Sequence, residues 1–501
     1  MSKLDNSDRL NPRLSSDSPV IEAVAEEAWA RACPHLRGRR HLDDKRTFSK
    51  LLAVNLVEVS HAGRGQALSY YRRKGNYAPR LRLGRPFLRH GVVVPVVDAW
   101  ERAGIIKQYL GYRFAGKQGR VTRAVLTEAG HRLFGEECLW QPTFEELLPS
   151  DLVEVRPPKR RGDGGGDEEE PYAGGSCYED DEWTAESRRF LLRYNRFIGD
   201  AQVCWRVPLS VLAESDAQRS LREGALRHLR RRQVLARAVR GVAGRGRDDG
   251  GGAPTSWRFD GIVEWLGRRV GRPERIAVPV DARLRRIFNE ESRPGGGTRK
   301  AGGRFYASYQ WMFTERQRSY LTVDGGPTVE LDFRGMLPRL ALHFLGEEAP
   351  EDPYGLYDDP GAREVVKKAV VVCLNARSRP EAVAALGKAI RLDQTRGLRD
   401  SLAAAGVGTA AALIDDIPRR LPGIQPLFYA REGLLLQRCE SEIAFRILRR
   451  MSDGGVPCLA LHDGFIVPVE YGHKLEAAMQ ESFRLHNDGN WCPITWSTRQ
   501  L

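Results

Sequence analysis

The chain has 501 residues, a formal net charge of +14 and a pI near 9.5. Its length predicts about three domains. No apolar run approaches the roughly 20 residues of a membrane span, and the polar start lacks the basic-then-apolar order of a signal peptide. We therefore expect a cytoplasmic protein without membrane contact.

The eight cysteines contain no Cys-x-x-Cys pair, which argues against a zinc ribbon or a disulfide framework and favours free, mostly buried thiols. An excess of arginine also follows from a GC-rich genome, but here the positive charge is clustered. The clusters are Tyr70–Lys74, Arg227–Arg232 and Arg293–Arg304. Clustered cations displace the counterions of phosphates, so nucleic acid is the favoured partner.

Residues 1–40 form a polar N-terminal segment with a short helix predicted at Val20–Arg31. The next region, 41–158, alternates apolar and basic stretches. Its predicted elements are a helix around Arg46–Leu56, a basic aromatic stretch at Leu68–Arg82, a helix over Phe87–Ala103, a strand over Gly104–Phe114, a turn over Ala115–Arg120 and a strand over Val121–Leu126. Helices followed by a two-stranded ribbon with a basic tip resemble a winged helix.

In a winged helix one helix enters the major groove of DNA while the wing and its flanks touch phosphates. The resemblance implies five candidate DNA contacts: Arg72, Arg73, Lys74, Lys117 and Arg120. The alternative is a winged-helix fold that serves only protein contacts or packing.

Residues 159–186 are rich in glycine and carry their charges in blocks, which predicts a flexible linker. Residues 187–300 are predicted to be mainly helical and arginine-rich, in a thumb-like region. For most of these arginines a solvated helical face is the simplest interpretation.

Two aspartates in the C-terminal region, 301–501, lie at the ends of predicted strands. Pro457–Val469 reads as a hairpin whose tip carries Asp463, because Asp-Gly between two apolar runs is a strong hairpin signal. A second strand, Thr328–Phe333, ends near Asp332. Paired strands would bring both carboxylates onto one metal site. The alternative for Asp463 is a simple turn former.

Four motifs follow one another in this region: Glu330–Ala341, Arg363–Ala376, Gln437–Ala444 and Leu461–Gly464. The series resembles motifs A, B and C of the family A DNA polymerases and of their relatives, the phage-type single-subunit RNA polymerases. The resemblance implies a right-hand palm built on an antiparallel sheet, with helical fingers. It also implies that the two motif aspartates hold two Mg²⁺ ions, for which Mn²⁺ is a possible substitute.

The same resemblance assigns roles to the remaining residues. Arg363 and Lys367 match the arginine and lysine that meet the incoming triphosphate, and such a lysine can also protonate the leaving group. Leu337 and Asn375 would face the sugar of the nucleotide. The residues matched to contacts with primer and template are Gln437, His462 and Arg339.

Two features depart from the family pattern. Residues 363–376 are β-branched enough to favour a strand by propensity, so their helical assignment follows from the resemblance. Leu337 stands where the DNA enzymes have a sugar-gating glutamate. A bulky apolar gate favours deoxynucleotides.

We therefore expect an α+β protein with a palm, fingers and a separate N-terminal winged-helix domain. Its expected function is template-directed nucleotidyl transfer, as a family A type DNA polymerase in the replication or priming of a mobile element. Its expected partners are DNA and nucleoside triphosphates. Two alternatives stay open: a primase or single-subunit RNA polymerase, and a DNA-binding regulator with a degenerate palm.

Overall fold

A computed structural model describes the protein over much of its length. The described residues are 7–38, 40–60, 67–72, 74–77, Arg85, 87–111, 121–139, Gln141, 143–145, 147–156, 181–208, 275–292, 298–312, 315–393 and 396–497. They form two compact units, one of residues 1–185 and 204–280 and the other of residues 186–203 and 281–501.

In its described residues the first unit combines four helices with short strands. Its helices are α1 (Pro19–Ala32), α2 (Leu42–Ser60), α3 (His90–Arg102) and α4 (Glu128–Leu139). Its strands are β1 (Ser7–Arg9), β2 (Leu14–Ser15), β3 (Ala67–Tyr70), β4 (Ile106–Tyr109), β5 (Thr122–Leu126), β6 (Phe144–Glu145), β7 (Val153–Arg156), β8 (Val203–Pro208) and β9 (Arg275–Pro279). Four of them form a sheet in the order β1-β3-β5-β4, in which only β1 and β3 are parallel.

The predicted ribbon of this unit is confirmed, since β4 and β5 pair antiparallel from Ile106↔Leu126 to Tyr109↔Arg123. The turn between them, residues 112–120, lies outside the described residues.

The N-terminal segment is part of this unit rather than a separate polar stretch. α1 buries Ile21, Ala25, Ala28 and Ala32, spaced by three or four residues, in the same core as α2 and α3. β1 adds a strand beside β3. The folded unit therefore begins well before residue 41. Composition did not indicate this boundary, because short alanine side chains provide most of the buried face of α1.

A buried charge cluster joins distant parts of the first unit. The Asp151 carboxylate accepts hydrogen bonds from Arg13 Nε at 3.2 Å and from Arg85 at 2.9 Å. Arg13 also reaches Glu154 at 3.4 Å. All four side chains are less than one-tenth exposed, so each charge depends on its partners for compensation.

The second unit places helices around an antiparallel sheet. Its helices are α5 (Glu182–Asp200), α6 (Ser308–Met312), α7 (Glu315–Arg318), α8 (Met336–Phe344), α9 (Arg363–Asn375), α10 (Arg379–Leu392), α11 (Gly397–Ala404), α12 (Ala410–Arg420), α13 (Gly433–Asp453) and α14 (Gly472–His486). Its strands are β10 (Arg285–Ser292), β11 (Thr298–Tyr306), β12 (Leu321–Val323), β13 (Gly326–Phe333), β14 (Leu459–Leu461), β15 (Gly464–Pro468) and β16 (Ile494–Ser497).

Strand β13 lies at the centre of this sheet. β15 pairs with it on one side, from Thr328↔Pro468 to Asp332↔Gly464. On the other side β12 pairs with the start of β13 and β16 with its end. β14 pairs with β15 at one edge of the sheet.

Residues 363–375 form a helix, although their β-branched side chains favour a strand. Val365, Val366, Ala369, Val370 and Cys373 are all buried, and they recur at helical spacing. The burial of one continuous apolar face outweighs the weak strand propensity of valine.

Other boundaries differ from the predicted ones. Helix α5 begins at Glu182, inside the predicted linker 159–186, while residues 157–180 lie outside the described part. The region 187–300 is not mainly helical where it is described, because it includes strands β8, β9 and β10 and the start of β11. The described residues otherwise form an α+β arrangement with mostly antiparallel sheets, and none of their helices is long and apolar enough to cross a membrane.

Candidate functional site

The hairpin of β14 and β15 has the shortest kind of turn. Leu461 pairs directly with Gly464, so the turn contains only His462 and Asp463. His462 adopts the left-handed conformation with φ 67°, which histidine, asparagine and aspartate tolerate better than most residues. Two buried strands therefore fix the backbone of Asp463, as the Asp-Gly pattern predicted.

Asp332 lies beside this turn at the end of β13. It is directly opposite Gly464, and the next N–H group, of Phe333, donates to the Asp463 carbonyl oxygen at 3.1 Å. A Cβ atom on Gly464 would lie 2.6 Å from Asp332 Oδ1. Glycine is therefore required for the close approach of this carboxylate to the hairpin.

Both aspartates have perturbed acidities. Burial raises the pKa of Asp332 to about 8, with further contributions from the charges of Asp463 and Glu330. Burial also raises the pKa of Asp463. The nearby cations Lys367 and Arg304 act in the opposite direction on Asp463 without cancelling the effect. Two like charges in such surroundings are stable together when a cation lies between them.

The chemistry of this pair fits Mg²⁺, a hard cation that prefers carboxylate oxygens. Among the described residues no group of three or more His, Cys, Asp or Glu side chains is arranged to hold a metal ion. Mg²⁺ commonly binds proteins through one or two carboxylates and takes its other ligands from water and substrate phosphates. A pair of carboxylates such as Asp332 and Asp463 is within this range of protein ligands.

Two predicted cations lie on α9, one turn apart. Lys367 is exposed, and its charge acts on both Asp332 and Asp463. Arg363 is half-buried and donates from Nε to Asp352 at 2.8 Å, with its guanidinium 5.3 Å from the centre of the Tyr354 ring. Arg363 is therefore held in a fixed orientation.

Arg304 is a site residue that sequence reasoning missed. Its Nε and one terminal nitrogen donate to the Glu440 carboxylate at 2.7 and 2.8 Å. Its charge also acts on the hairpin tip, where burial and Arg304 together lower the pKa of His462 to about 4. His462 is therefore neutral at pH 7, its ring 5.3 Å from that of Tyr306 and its Nδ1 buried without a hydrogen-bond partner in the described structure.

A second Arg–Glu pair involves the same strand as Asp332. Glu330 is two residues before Asp332 and on the same face of β13. Its carboxylate accepts two hydrogen bonds from Arg318, at 2.8 and 3.0 Å. The alternation of β13 could have identified Glu330, whereas Arg318 comes from a separate short helix and gave no sequence signal.

The predicted sugar contacts lie on two different helices. Leu337 is half-buried in the first turn of α8. Asn375 is exposed at the end of α9, where its amide donates to Val371 O at 2.7 Å. A Cβ atom on Gly433 would lie 2.4 Å from Asn375 Oδ1, so Asn375 packs against the start of α13. Gln437 is half-buried one turn further along α13.

Arg339 has a different environment from the one that the sequence predicted. It is buried, and its guanidinium donates to the carbonyl oxygens of Arg334, Pro350 and Glu351 at 3.1, 2.9 and 2.5 Å. A buried guanidinium with these partners is poorly placed for nucleic acid. Arg339 instead braces the chain that follows α8.

The candidate DNA contacts of the first unit are only partly described. Arg72 is half-buried and donates to the Asp98 carboxylate at 2.6 and 3.1 Å and to the Tyr70 hydroxyl at 2.9 Å. Lys74 is exposed. Arg73, Lys117 and Arg120 lie outside the described residues.

A scan of the sequence against protein-family models and a search of curated proteins both give no match. The function must therefore be inferred from the residues of the site.

Proposed function

We propose that this chain is a template-directed nucleotidyltransferase, a DNA polymerase of family A type that acts in the replication or priming of a mobile element. One observation carries the proposal: Asp332, at the end of β13, and Asp463, in the adjoining β14–β15 turn, lie together, and the charge of the exposed Lys367 acts on both. Nucleotidyl transfer requires this combination of paired carboxylates and a nearby cation.

Each residue has a distinct task in this proposal. Asp332 and Asp463 would hold Mg²⁺, which activates the 3′-hydroxyl and neutralises the departing pyrophosphate. Lys367 would bind the triphosphate and stabilise the charge of the leaving group. Arg363, oriented by Asp352, would extend the positive surface along the same face of α9.

We assign DNA binding outside the active site to the first unit. Its strand order β3-β5-β4, with α3 preceding the β4–β5 ribbon, supports a winged-helix domain. Lys117 and Arg120, which come between β4 and β5 in the sequence, support contacts with phosphates.

Primer extension with labelled nucleotides tests the proposal. The full-length protein should extend a primer on a template only with Mg²⁺ or Mn²⁺ present, and with a preference for deoxynucleotides. Asp332→Asn and Asp463→Asn should each lower incorporation by about a thousandfold or more, since lost metal binding costs several kcal/mol of transition-state stabilisation. Asp415→Asn is the matched control, because Asp415 is exposed and forms its ion pair with Arg379, which is exposed as well.

Two results would contradict parts of the proposal. Near-normal activity of either aspartate variant, with DNA binding intact, would remove the site from Asp332 and Asp463. A higher kcat/KM for ribonucleotides would instead make the protein a primase or RNA polymerase with the same site.

A further inference from the structure

The strand that leads to Arg304 contains a β-bulge. Ile287 pairs with Arg304 but Phe288 pairs with Gly302, so Gly303 is the extra residue of β11. Gly302 and Gly303 have φ values of 71° and 84°. A Cβ atom on Gly303 would lie 2.6 Å from the Phe288 ring. Bulges change the direction of the side chain that follows, and they recur beside active sites.

Helix α13 holds the backbone of this bulge. The Ser441 hydroxyl donates to Gly302 O at 3.0 Å. Glu442 accepts from Arg286 at 2.7 Å, and Arg286 Nε in turn donates to Gly303 O at 2.7 Å. Arg286 is fully buried among aromatic rings and therefore has no freedom to release the carbonyl.

Glu440 precedes Ser441 on α13 and binds the side chain of Arg304, the residue that follows the bulge. Its carboxylate is only 2% exposed and binds Arg304 through two hydrogen bonds. A buried ion pair is seldom more stabilising than apolar residues of the same volume, so fold stability is a weak reason for this pair. Its stronger effect is to fix the guanidinium of Arg304, which is one-quarter exposed and acts on Asp463.

We propose that Glu440 is a positioning residue, which together with the bulge orients Arg304 beside the Asp463 hairpin so that its exposed edge binds a substrate phosphate. This inference rests on the nucleotidyltransferase function proposed above. The phosphate belongs either to the incoming nucleotide or to the nucleic-acid strand that reacts at the aspartate pair. Planar guanidinium groups are well suited to both.

A double-mutant cycle tests the role of Glu440. Glu440→Gln keeps the shape of the side chain and one acceptor oxygen, and Arg304→Ala removes the group that it orients. Each variant should lower kcat/KM for incorporation at least about tenfold, and the double variant should be no worse than Arg304→Ala alone. Asp415→Asn, which breaks an exposed two-bond pair with Arg379 at 2.6 Å, should have no effect.

The affected parameter identifies the source of the phosphate. A raised KM for the nucleotide assigns it to the triphosphate, and weaker binding of primer–template assigns it to the strand. If Glu440→Gln does not fold, Arg304→Lys replaces it, because lysine keeps the charge but cannot form the two parallel bonds to Glu440. That variant should show the same loss.

Two results would overturn the inference. If the wild-type protein is active, full activity of Glu440→Gln would show that the orientation of Arg304 is unimportant. Full activity of Arg304→Lys would show the same where that variant replaces Glu440→Gln. Multiplying losses in the double variant would show that Glu440 acts independently of Arg304. Absence of Mg²⁺-dependent incorporation by the wild-type protein would instead refute the proposed function, and the inference with it.

Discussion

Replacement of Gly464 by alanine should damage the candidate site while it leaves the fold intact. The new methyl group would lie 2.6 Å from Asp332 Oδ1, and Cβ atoms essentially never approach other atoms within 3.0 Å. The carboxylate would therefore have to move by about 0.4 Å, the difference between these two distances. A misplacement of about 1 Å costs on the order of a hundredfold in rate, so a shift of about 0.4 Å costs on the order of tenfold.

We therefore expect Gly464→Ala to lower kcat about tenfold, with an overpacking cost of about 1–3 kcal/mol in unfolding free energy. Single-turnover primer extension and urea unfolding measure the two effects. Gly326→Ala is the matched control on β13, because its nearest contact, Val323 O at 3.5 Å, leaves room for a methyl group. Equal rates for the two variants would refute the steric argument.

Two further predictions concern buried carboxylates. Without divalent cations the free energy of unfolding should fall as the pH rises from about 4 to about 8. The reason is that folded Asp332, with its pKa raised to about 8, retains a proton that the unfolded chain releases. Urea unfolding in EDTA measures this dependence, and the free energy of unfolding of Asp332→Asn should change less steeply with pH. In the first unit, Asp151→Asn should cost about 3–5 kcal/mol in the same assay, since it removes the anion that the buried Arg13 and Arg85 share. A loss below about 1 kcal/mol would show that Glu154 alone compensates both arginines.

The parts of the site that depend on local sequence were predictable. Asp-Gly between two apolar runs specified the hairpin, and the run before Asp332 specified β13. Helix α9 was harder, because the propensity of its valines and their helical spacing point to different structures. In the folded protein the helical spacing outweighs the strand propensity, because α9 packs one apolar face against α10, α11 and α12.

The pairs that orient charges around the aspartates were not predictable. Arg304 and Glu440 are 136 residues apart, and nothing in the cluster that ends at Arg304 or in the motif around Glu440 links one residue to the other. Arg304 was noted only as the end of a basic cluster, although the paired glycines before it also mark a bulge when they lie in a strand. Arg339 shows the opposite error, because its position in a motif gave no indication of the carbonyl oxygens that surround it.

The double pairing of β13 has a consequence for the dynamics of the protein. A strand with neighbours on both sides moves only when the sheet opens, which is a slow, sub-global event. Asp332 is therefore a stationary reference point on the timescale of a catalytic cycle. Lys367 lies on the exposed face of a helix packed among other helices, and packed helices slide past one another in microseconds to milliseconds. Under the proposed function, adjustment to a substrate would thus fall to α9 and its neighbouring helices, with the sheet as their fixed reference.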